Sequence, residues 1–301
     1  MELKEAAHRP SKPAWTPWRP IKPAVGFTAC SLAETLDGGQ AFRWRCDDGV
    51  WTGQWSDVVV RVRLRTDGAL EWSAPDVLAK RVSTSLPGYF ATGRDFASLT
   101  DALPWRSDHR LAIAIQALTG LRILRQPLDE TLLAFLCSPT KQIVQIKQIL
   151  ALLAKRFGAE ILPGMHALPT WPVLAEVSEP ELRACSLGFR ARHIKAAAVA
   201  LSETPDWSNR VECLPYPEAR EWLMRLPGVG EKIADCVLLF GMGKLESFPV
   251  DVWILKVMCR RYGLEGWKNS WIAHFGRVHF GPAAGLAQQY LFALERRNGR
   301  Q

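Results

Sequence analysis

The chain has 301 residues, enough to bury a sizeable core in two or three subdomains, and its composition of 48% apolar and 23% charged residues is ordinary for a soluble globular protein. The net charge of +8 and the isoelectric point near 9.3 favour a polyanionic partner, although a basic enzyme without one has the same composition. Because the sequence lacks an apolar run of about 18 residues and a signal-peptide core, we expect neither a membrane protein nor a secreted one.

The N-terminal third predicts a tail followed by a sheet. Residues 1–20 are basic and proline-rich without apolar periodicity, which predicts a flexible tail. Within residues 27–72, short runs of alternating apolar and polar residues are separated by Asp-Asp-Gly and Thr-Asp-Gly, a pattern typical of antiparallel strands joined by hairpin turns. We therefore place an N-terminal antiparallel β domain, with a connecting helix, at residues 21–117.

The rest of the chain predicts helices. Helical periodicity starts at Asp95 and continues to the end, so we place an all-helical domain at residues 118–301. The apolar spacing predicts helices over these segments: 95–119, 132–136, 143–157, 180–187, 190–202, 218–226 and the latter part of 276–297. The predicted fold class is α+β, with a small sheet followed by helices.

A helix-hairpin-helix is predicted at Leu-Pro-Gly-Val-Gly. Pro227 and Gly228 end one helix, and Gly230 allows a tight turn before a new helix begins at about Glu231. Because these residues have little bulk, the amides of Gly228, Val229 and Gly230 can approach a phosphate at the N-terminus of the second helix, where the dipole favours an anion. Such a hairpin holds a nucleic-acid backbone without reading its sequence.

A lysine and an aspartate flank the second helix of this hairpin. Lys232 lies at its start, near the positive end of the helix dipole, which favours an uncharged, nucleophilic amine. Asp251 follows nineteen positions later in Phe-Pro-Val-Asp-Val, where a carboxylate could stabilise a developing positive charge or relay a proton. Taken alone, Lys232 fits a solvated surface charge and Asp251 fits a helix N-cap. Capping is compatible with catalysis, because it fixes the direction of the carboxylate.

Together these segments resemble the helix-hairpin-helix–Gly/Pro–Asp DNA glycosylases, and the lysine resembles that of their bifunctional 8-oxoguanine DNA glycosylase/AP lyase branch. Gly-Gly-Gln-Ala-Phe-Arg-Trp before the first hairpin, and Phe-Gly-Pro with the glutamine and phenylalanine of the last helix, resemble further motifs of this family. The resemblance spans roughly residues 25–297. It implies an enzyme that removes 8-oxoguanine from double-stranded DNA and cleaves the strand by β-elimination through a Schiff base on Lys232, supported by Asp251, with no metal or diffusible cofactor.

The resemblance also implies a pocket for a flipped base. The backbone carbonyl of Gly39 would accept a hydrogen bond from N7, which carries a hydrogen in 8-oxoguanine but is an acceptor in guanine. Gln288 would read the hydrogen-bonding edge of the base, and Phe292, four residues later on the same helix face, would stack on it. Cys236 would face Lys232, either as a thiolate that forms a dipole with the ammonium or as a buried apolar side chain.

Other motif positions imply contacts with the DNA around the lesion. Phe189 would wedge between bases, and Arg190 would reach the orphaned base. Thr140 stands where relatives carry an asparagine that fills the vacated space, and Gln145 stands where strictly cytosine-dependent members carry arginine, so we expect relaxed opposite-base specificity. Trp253 replaces a histidine that touches a phosphate in many relatives, and its indole can donate one hydrogen bond but carries no charge.

Three alternatives remain open. A glycosylase for alkylated bases would share the hairpin and the aspartate but normally lacks the lysine. An oxidised-pyrimidine glycosylase would normally carry four iron–sulfur cysteines, whereas only Cys259 follows Asp251, and the wide spacing of all seven cysteines also speaks against zinc. A non-catalytic DNA-binding module would use Lys232 only to contact phosphate. We expect a monomer without a membrane partner, cytoplasmic and nucleoid-associated in a bacterium or nuclear in a eukaryote.

Overall fold

The computed structural model describes residues 13–299, and its first part is a five-stranded antiparallel sheet with the strand order β1-β5-β4-β3-β2. The elements of this part are β1 (Arg19–Pro20), α1 (Ala29–Asp37), β2 (Trp44–Asp47), β3 (Val50–Trp55), β4 (Val58–Leu64), β5 (Leu70–Ser73) and α2 (Ala79–Tyr89). The predicted sheet is confirmed, but α1 and α2 were not predicted. In α1, a capping box between Thr28 and Ser31 starts a helix of nine residues, about two and a half turns.

The predicted tail is only partly within the described residues. Residues 1–12 lie outside them, whereas β1 pairs with β5 along the edge of the sheet. The guanidinium of Arg61 lies 3.9 Å from the ring centroid of Trp15, and that of Arg63 lies 4.4 Å from that of Trp18. These cation–π contacts hold residues 13–20 on the sheet, contrary to the predicted flexibility of that stretch.

The helical part follows, and it is interrupted by a two-stranded hairpin that the sequence analysis did not predict. Its elements are α3 (Phe96–Asp101), α4 (His109–Ala117), α5 (Leu128–Leu136), α6 (Ile143–Phe157), β6 (Glu160–Leu162), β7 (Met165–His166), α7 (Trp171–Glu176), α8 (Glu179–Leu182), α9 (Arg190–Ser202), α10 (Trp207–Glu212), α11 (Tyr216–Met224), α12 (Glu231–Met242), α13 (Val252–Tyr262), α14 (Asn269–Phe280) and α15 (Ala284–Asn298). The single helix predicted over residues 95–119 is two helices, because Pro104 starts a separate turn between them. In the described part of the chain no helix has the length and apolarity to cross a bilayer.

Two hydrophobic cores divide the molecule. One lies under the sheet and contains Trp44, Val60 and Phe90, and the other lies among the helices. The buried side chains of α3 and α4, including Phe96 and Leu111, belong to the helical core. The division between the cores therefore falls before α3, whereas the sequence analysis placed the domain boundary after residue 117.

Gln40 joins the loop after α1 to the helical part. It is 1% exposed, and its Nε2 donates to the carbonyl of Arg122 at 2.9 Å while its Oε1 accepts from the N–H of Leu124 at 2.8 Å. The Nε2 of Gln126 donates to the carbonyl of Gln40 at 2.6 Å. A buried amide satisfied in this way is costly to move, so the adjacent Gly39 is held at a fixed place beside the helices.

Candidate active site

The predicted hairpin is present between α11 and α12. Val229 N–H donates to the carbonyl of Leu226 at 3.1 Å, with Pro227 second and Gly228, at φ +82°, third in the turn. Proline second and a glycine with positive φ third are typical of a type II turn. A Cβ on Gly228 would lie 2.7 Å from Cβ of His193, so the close packing of the hairpin against α9 also requires glycine there.

The turn leaves two of the three predicted phosphate-binding amides available. The Val229 amide donates within the turn and its side chain is buried, so Gly228 and Gly230 remain together with the first turn of α12. Gly230 caps α12 with extended backbone, and a Cβ there would meet no atom of the described residues within 4 Å. The helix N-terminus is therefore open on the side where a phosphate would approach.

Lys232 extends from the first turn of α12 and lines a cavity. Its Nζ donates to Oγ of Ser138 at 3.3 Å and lies 5.0 Å from the ring centroid of Phe135. Ser138 Oγ in turn donates to the carbonyl of Phe135 at 2.7 Å. The end of α5 thus directs the amine across the cavity, and Ser138 is a positioning residue that the sequence analysis did not single out.

Asp251 caps α13, as the sequence predicted. Its Oδ1 accepts hydrogen bonds from the N–H groups of Trp253 at 3.1 Å and Ile254 at 2.8 Å. Burial raises the pKa of the Asp251 carboxyl, although the Ile254 N–H and the positive charge of Lys232 act in the opposite direction. The site therefore holds a poorly solvated carboxylate that interacts electrostatically with the charge of Lys232.

The cavity has a volume of about 990 Å³ and lies between the Gly39 loop, the loop from α5 to α6, the N-termini of α12 and α13, and the end of α15. The predicted site residues that line it are Gly39, Thr140, Gly230, Lys232, Asp251, Trp253 and Phe292. A second cavity of about 1080 Å³, on the sheet side of α6, contains neither Lys232 nor Asp251 in its wall. The sequence thus brings the proposed nucleophile, carboxylate and aromatic platform to one place.

The predicted base-binding residues lie around and behind this cavity. Gly39 has φ +112°, and a Cβ there would lie 3.2 Å from Cδ1 of Ile143 and 3.5 Å from Cε1 of Phe292. Gln288 and Cys236 are buried behind the cavity wall, and the Gln288 Nε2 donates to the carbonyl of Pro249 at 3.1 Å. The Gln288 Oε1 has no hydrogen-bond partner among the described residues.

Cys236 is buried near Lys232. Burial raises the pKa of its thiol to about 12, and the nearby charge of Lys232 offsets only part of this effect. A group with this pKa is protonated at neutral pH. The burial of Cys236 therefore favours the alternative of a buried, uncharged side chain over the thiolate–ammonium pair.

The residues predicted to contact the opposite strand are in different environments. Phe189 is 48% exposed and available to wedge between bases. Arg190 is 4% exposed, and its guanidinium donates to the carbonyl of Pro139 and, at 2.6 Å, to Oγ1 of Thr140. It supports the loop here, instead of standing free to reach an orphaned base. Gln145 is exposed, and its Oε1 accepts from the N–H of Gln142 at 3.1 Å to cap α6.

Trp253 forms a wall of the cavity beside the end of α15. A Cβ on Gly299 would lie 2.6 Å from its Cζ3, and the Nζ of Lys256 lies 5.3 Å from its ring centroid. Lys256 also lies 3.8 Å from the carboxylate of Glu295. The indole therefore packs against the end of α15, and Lys256 places a positive charge beside it.

Asp235 supports the hairpin and was missed by the sequence analysis. It is 1% exposed, accepts from Tyr216 Oη at 2.7 Å and from Nε of Arg220 at 3.1 Å, and so ties α12 to α11. It lies three residues after Lys232 and also lines the cavity. A carboxylate within the apolar run Ile-Ala-Asp-Cys-Val-Leu-Leu was the available signal, because a buried charge requires partners.

A lysine on the second helix of a hairpin, a capping aspartate on the next helix and a preceding antiparallel sheet define a helix-hairpin-helix DNA glycosylase fold. Residues 24–132 match the family model for the 8-oxoguanine DNA glycosylase N-terminal domain. The N-glycosylase/DNA lyase of Arabidopsis thaliana is 30% identical over 97% of this chain and 83% of its own, and that of Saccharomyces cerevisiae is 31% identical over 82% and 72%. The chain belongs to the 8-oxoguanine N-glycosylase/DNA lyase family.

The solved structures agree with this assignment. The 8-oxoguanine glycosylase/lyase of Clostridium acetobutylicum, in complex with double-stranded DNA containing cytosine opposite 8-oxoguanine, superposes with a TM-score of 0.83. It is 30% identical, and the match covers 95% of this chain and 99% of that one. The similarity thus includes both the sheet and the helical part.

Proposed function

We propose that this protein removes 8-oxoguanine from duplex DNA and then cleaves the abasic strand, with Lys232 as nucleophile and Asp251 as its electrostatic partner. The observation that carries the proposal is that both residues line one cavity beside Gly39 and Phe292. The names of the curated relatives and the DNA in the Clostridium structure support the same substrate and reaction. All of these side chains come from one chain, so we propose that a monomer acts on DNA in the bacterial nucleoid or in a nucleus.

Excision begins when the damaged nucleotide leaves the base stack, which requires a few kcal/mol. The exposed Phe189 would fill the opened step while the hairpin holds the backbone. The Lys232 ammonium loses a proton to solvent, and the free amine then attacks C1′ of the sugar. The C1′–N9 bond breaks, and its electron pair leaves with the base, which takes up a proton. Asp251 stabilises the positive charge that develops on the sugar, and the attraction is stronger in a cavity than in open water.

Strand cleavage follows from the bond that Lys232 has formed. The sugar ring opens to a protonated imine, which acidifies the hydrogens on C2′. Loss of one of these protons breaks the C3′–O bond, and the 3′ phosphate leaves with that electron pair. Hydrolysis of the imine then returns the amine of Lys232.

Selection of the lesion rests on groups around the base. In the proposed complex the Gly39 carbonyl accepts the hydrogen on N7 and Phe292 stacks on the base, while Cys236 stays buried near Lys232 behind the cavity wall. Gln288 has a buried Oε1 without a partner among the described residues, so its amide has capacity left for the base edge. Guanine would leave the Gly39 carbonyl without a donor, which is the kind of mismatch that gives strong discrimination.

Borohydride trapping on a duplex with one 8-oxoguanine opposite cytosine tests the proposal. Wild type should form a covalent enzyme–DNA product, and Lys232→Gln should form none while still binding the duplex. Lys141 also lines the cavity, so Lys141→Gln is the matched control and should still crosslink. Binding without any crosslink in wild type would contradict lyase chemistry and would favour a monofunctional glycosylase or a DNA-binding module.

A further inference from the structure

A buried ion pair lies behind the proposed base pocket and joins its two halves. Arg296 is 4% exposed and Glu34 is 8% exposed, and their Nη2 and Oε2 atoms are 2.5 Å apart. Arg296 lies one helical turn after Phe292 on α15 and lines the active-site cavity, whereas Glu34 belongs to α1, which leads into the Gly39 loop. The pair therefore connects the loop that would read N7 with the helix that would stack on the base.

The carboxylate of Glu34 lies directly against this loop. A Cβ on Gly38 would be 2.8 Å from Oε2 of Glu34, the same oxygen that accepts from Arg296. The next residue, Gly39, stands against Phe292. A shift of the carboxylate would therefore move the backbone of the loop relative to the aromatic ring, because the close packing leaves little free space.

Stability alone does not explain the pair. The Nε and Nη1 atoms of Arg296 are buried and have no hydrogen-bond partner among the described residues. Buried donors without partners are unfavourable, and a buried ion pair can often be replaced by apolar residues without loss of stability. The pair is therefore better explained by the fixed position that it gives the Gly39 loop relative to α15.

We propose that Arg296, acting through Glu34, is a positioning residue that sets the distance between the Gly39 carbonyl and Phe292. The inference rests on the function proposed above and adds a determinant of base recognition to it. An abasic site has no base to place between Gly39 and Phe292, so loss of the pair should impair base excision but spare cleavage of an abasic strand.

The test uses the double variant Glu34→Leu/Arg296→Met, which removes the pair without leaving an unpaired buried charge. Single-turnover excision of 8-oxoguanine should fall by roughly 10- to 100-fold, as expected for a small misplacement of a reacting group. Cleavage of a duplex with a preformed abasic site should change by less than about twofold, and the melting temperature should stay close to that of wild type. The matched control is Arg63→Gln/Glu71→Gln, which removes an ion pair on the sheet and should change neither rate.

Two outcomes would overturn the inference: an equal loss of both activities, which would mean general damage to the fold, or unchanged excision. Should the double variant fail to fold, Glu34→Gln keeps an acceptor for Arg296 and should show a smaller shift in the same direction. If Glu34→Gln also lost both activities equally, or neither, the inference would be rejected. Absence of excision by wild type would instead refute the proposed function.

Discussion

At the scale of single residues, Asp251 serves two roles that oppose each other. As an N-cap it accepts two backbone hydrogen bonds, a role that a neutral side chain could fill equally well. As the proposed electrostatic partner of Lys232 it must be ionised, although burial raises the pKa of its carboxyl. The proposed mechanism therefore requires a charge where the fold alone would favour none.

Asp251→Asn separates these roles. Because the pKa is raised on folding, the folded state binds the proton more tightly than the unfolded state, and stability falls as pH rises through the folded-state pKa. Asparagine keeps the cap and has no charge, so the variant should melt above wild type at neutral pH. The difference should vanish below about pH 4, where Asp251 is protonated in both states. Thermal melts across pH measure this.

The same variant should lose excision, by about 100-fold, because it no longer stabilises the charged sugar. Single-turnover rates at neutral pH provide the measurement. A variant that is both less stable and inactive would mean that the cap, not the charge, is the main role of Asp251. One that is fully active would mean that the carboxylate has no part in the chemistry.

Thr140 is held in a conformation that its side chain disfavours. Its φ is +56°, and a β-branched residue with positive φ is strained, by about 1–2 kcal/mol. Asparagine tolerates this region and offers an amide for base pairing. Thr140→Asn should therefore raise the free energy of unfolding by about 1 kcal/mol and increase the preference for cytosine opposite the lesion.

The opposite-base preference is measured as the ratio of single-turnover excision rates opposite cytosine and opposite adenine. Wild type should show a low ratio, because Thr140 is short and Arg190 is occupied within the protein. Thr140→Gly relieves the strain without adding an amide, so it should not raise the ratio. A wild-type enzyme that barely acts opposite adenine would contradict the predicted relaxed specificity.

At the scale of elements, the hairpin contains two glycines at which a larger side chain would have different consequences. Gly228 needs positive φ and close contact with His193, whereas Gly230 has φ −97° and open space around its Cα. Gly230→Ala should thus leave the melting temperature unchanged but weaken DNA binding about tenfold, because the methyl stands between phosphate and amides. Gly228→Ala should instead lower the free energy of unfolding by about 1–2 kcal/mol.

Melting curves and duplex-binding titrations on the two variants distinguish these effects. The loss of affinity in Gly230→Ala should be equal for damaged and undamaged duplexes, since the hairpin contacts only the backbone. Wild-type affinity in that variant would mean that the hairpin does not approach a phosphate at this position.

These elements also show what the sequence could predict. The hairpin, the Asp251 cap and the sheet turns depend on residues within a few positions of one another, so local rules were sufficient for them. Gln40 and the pair of Glu34 with Arg296 depend on contacts between distant segments, for which one sequence carries no local signal. For Asp235 the apolar run around it indicated burial, but not its partners Tyr216 and Arg220. The protonation state of Cys236 could not be predicted from the sequence either, because it depends on how deeply the folded protein buries the thiol.

At the scale of the whole molecule, the net charge of +8 overstates the charge available for DNA. Arg122 and Arg190 are buried and donate to backbone carbonyls inside the protein, so two of the positive charges are not on the surface. The positive charges that remain on the surface attract the duplex through the solvent, where salt screens them. Lys232 and Asp251, in contrast, act within a cavity.

Binding and chemistry should therefore respond differently to salt. Raising the salt concentration from about 50 to 200 mM should weaken the affinity for an undamaged duplex by about tenfold or more, because binding releases counterions from the DNA. The excision rate constant at saturating enzyme should change by less than about twofold, because salt screens partly buried charges much less than exposed ones. Fluorescence anisotropy and single-turnover assays on the same duplex length measure the two quantities. A saturating rate that falls in step with affinity would mean that surface charges, not the buried site, stabilise the transition state.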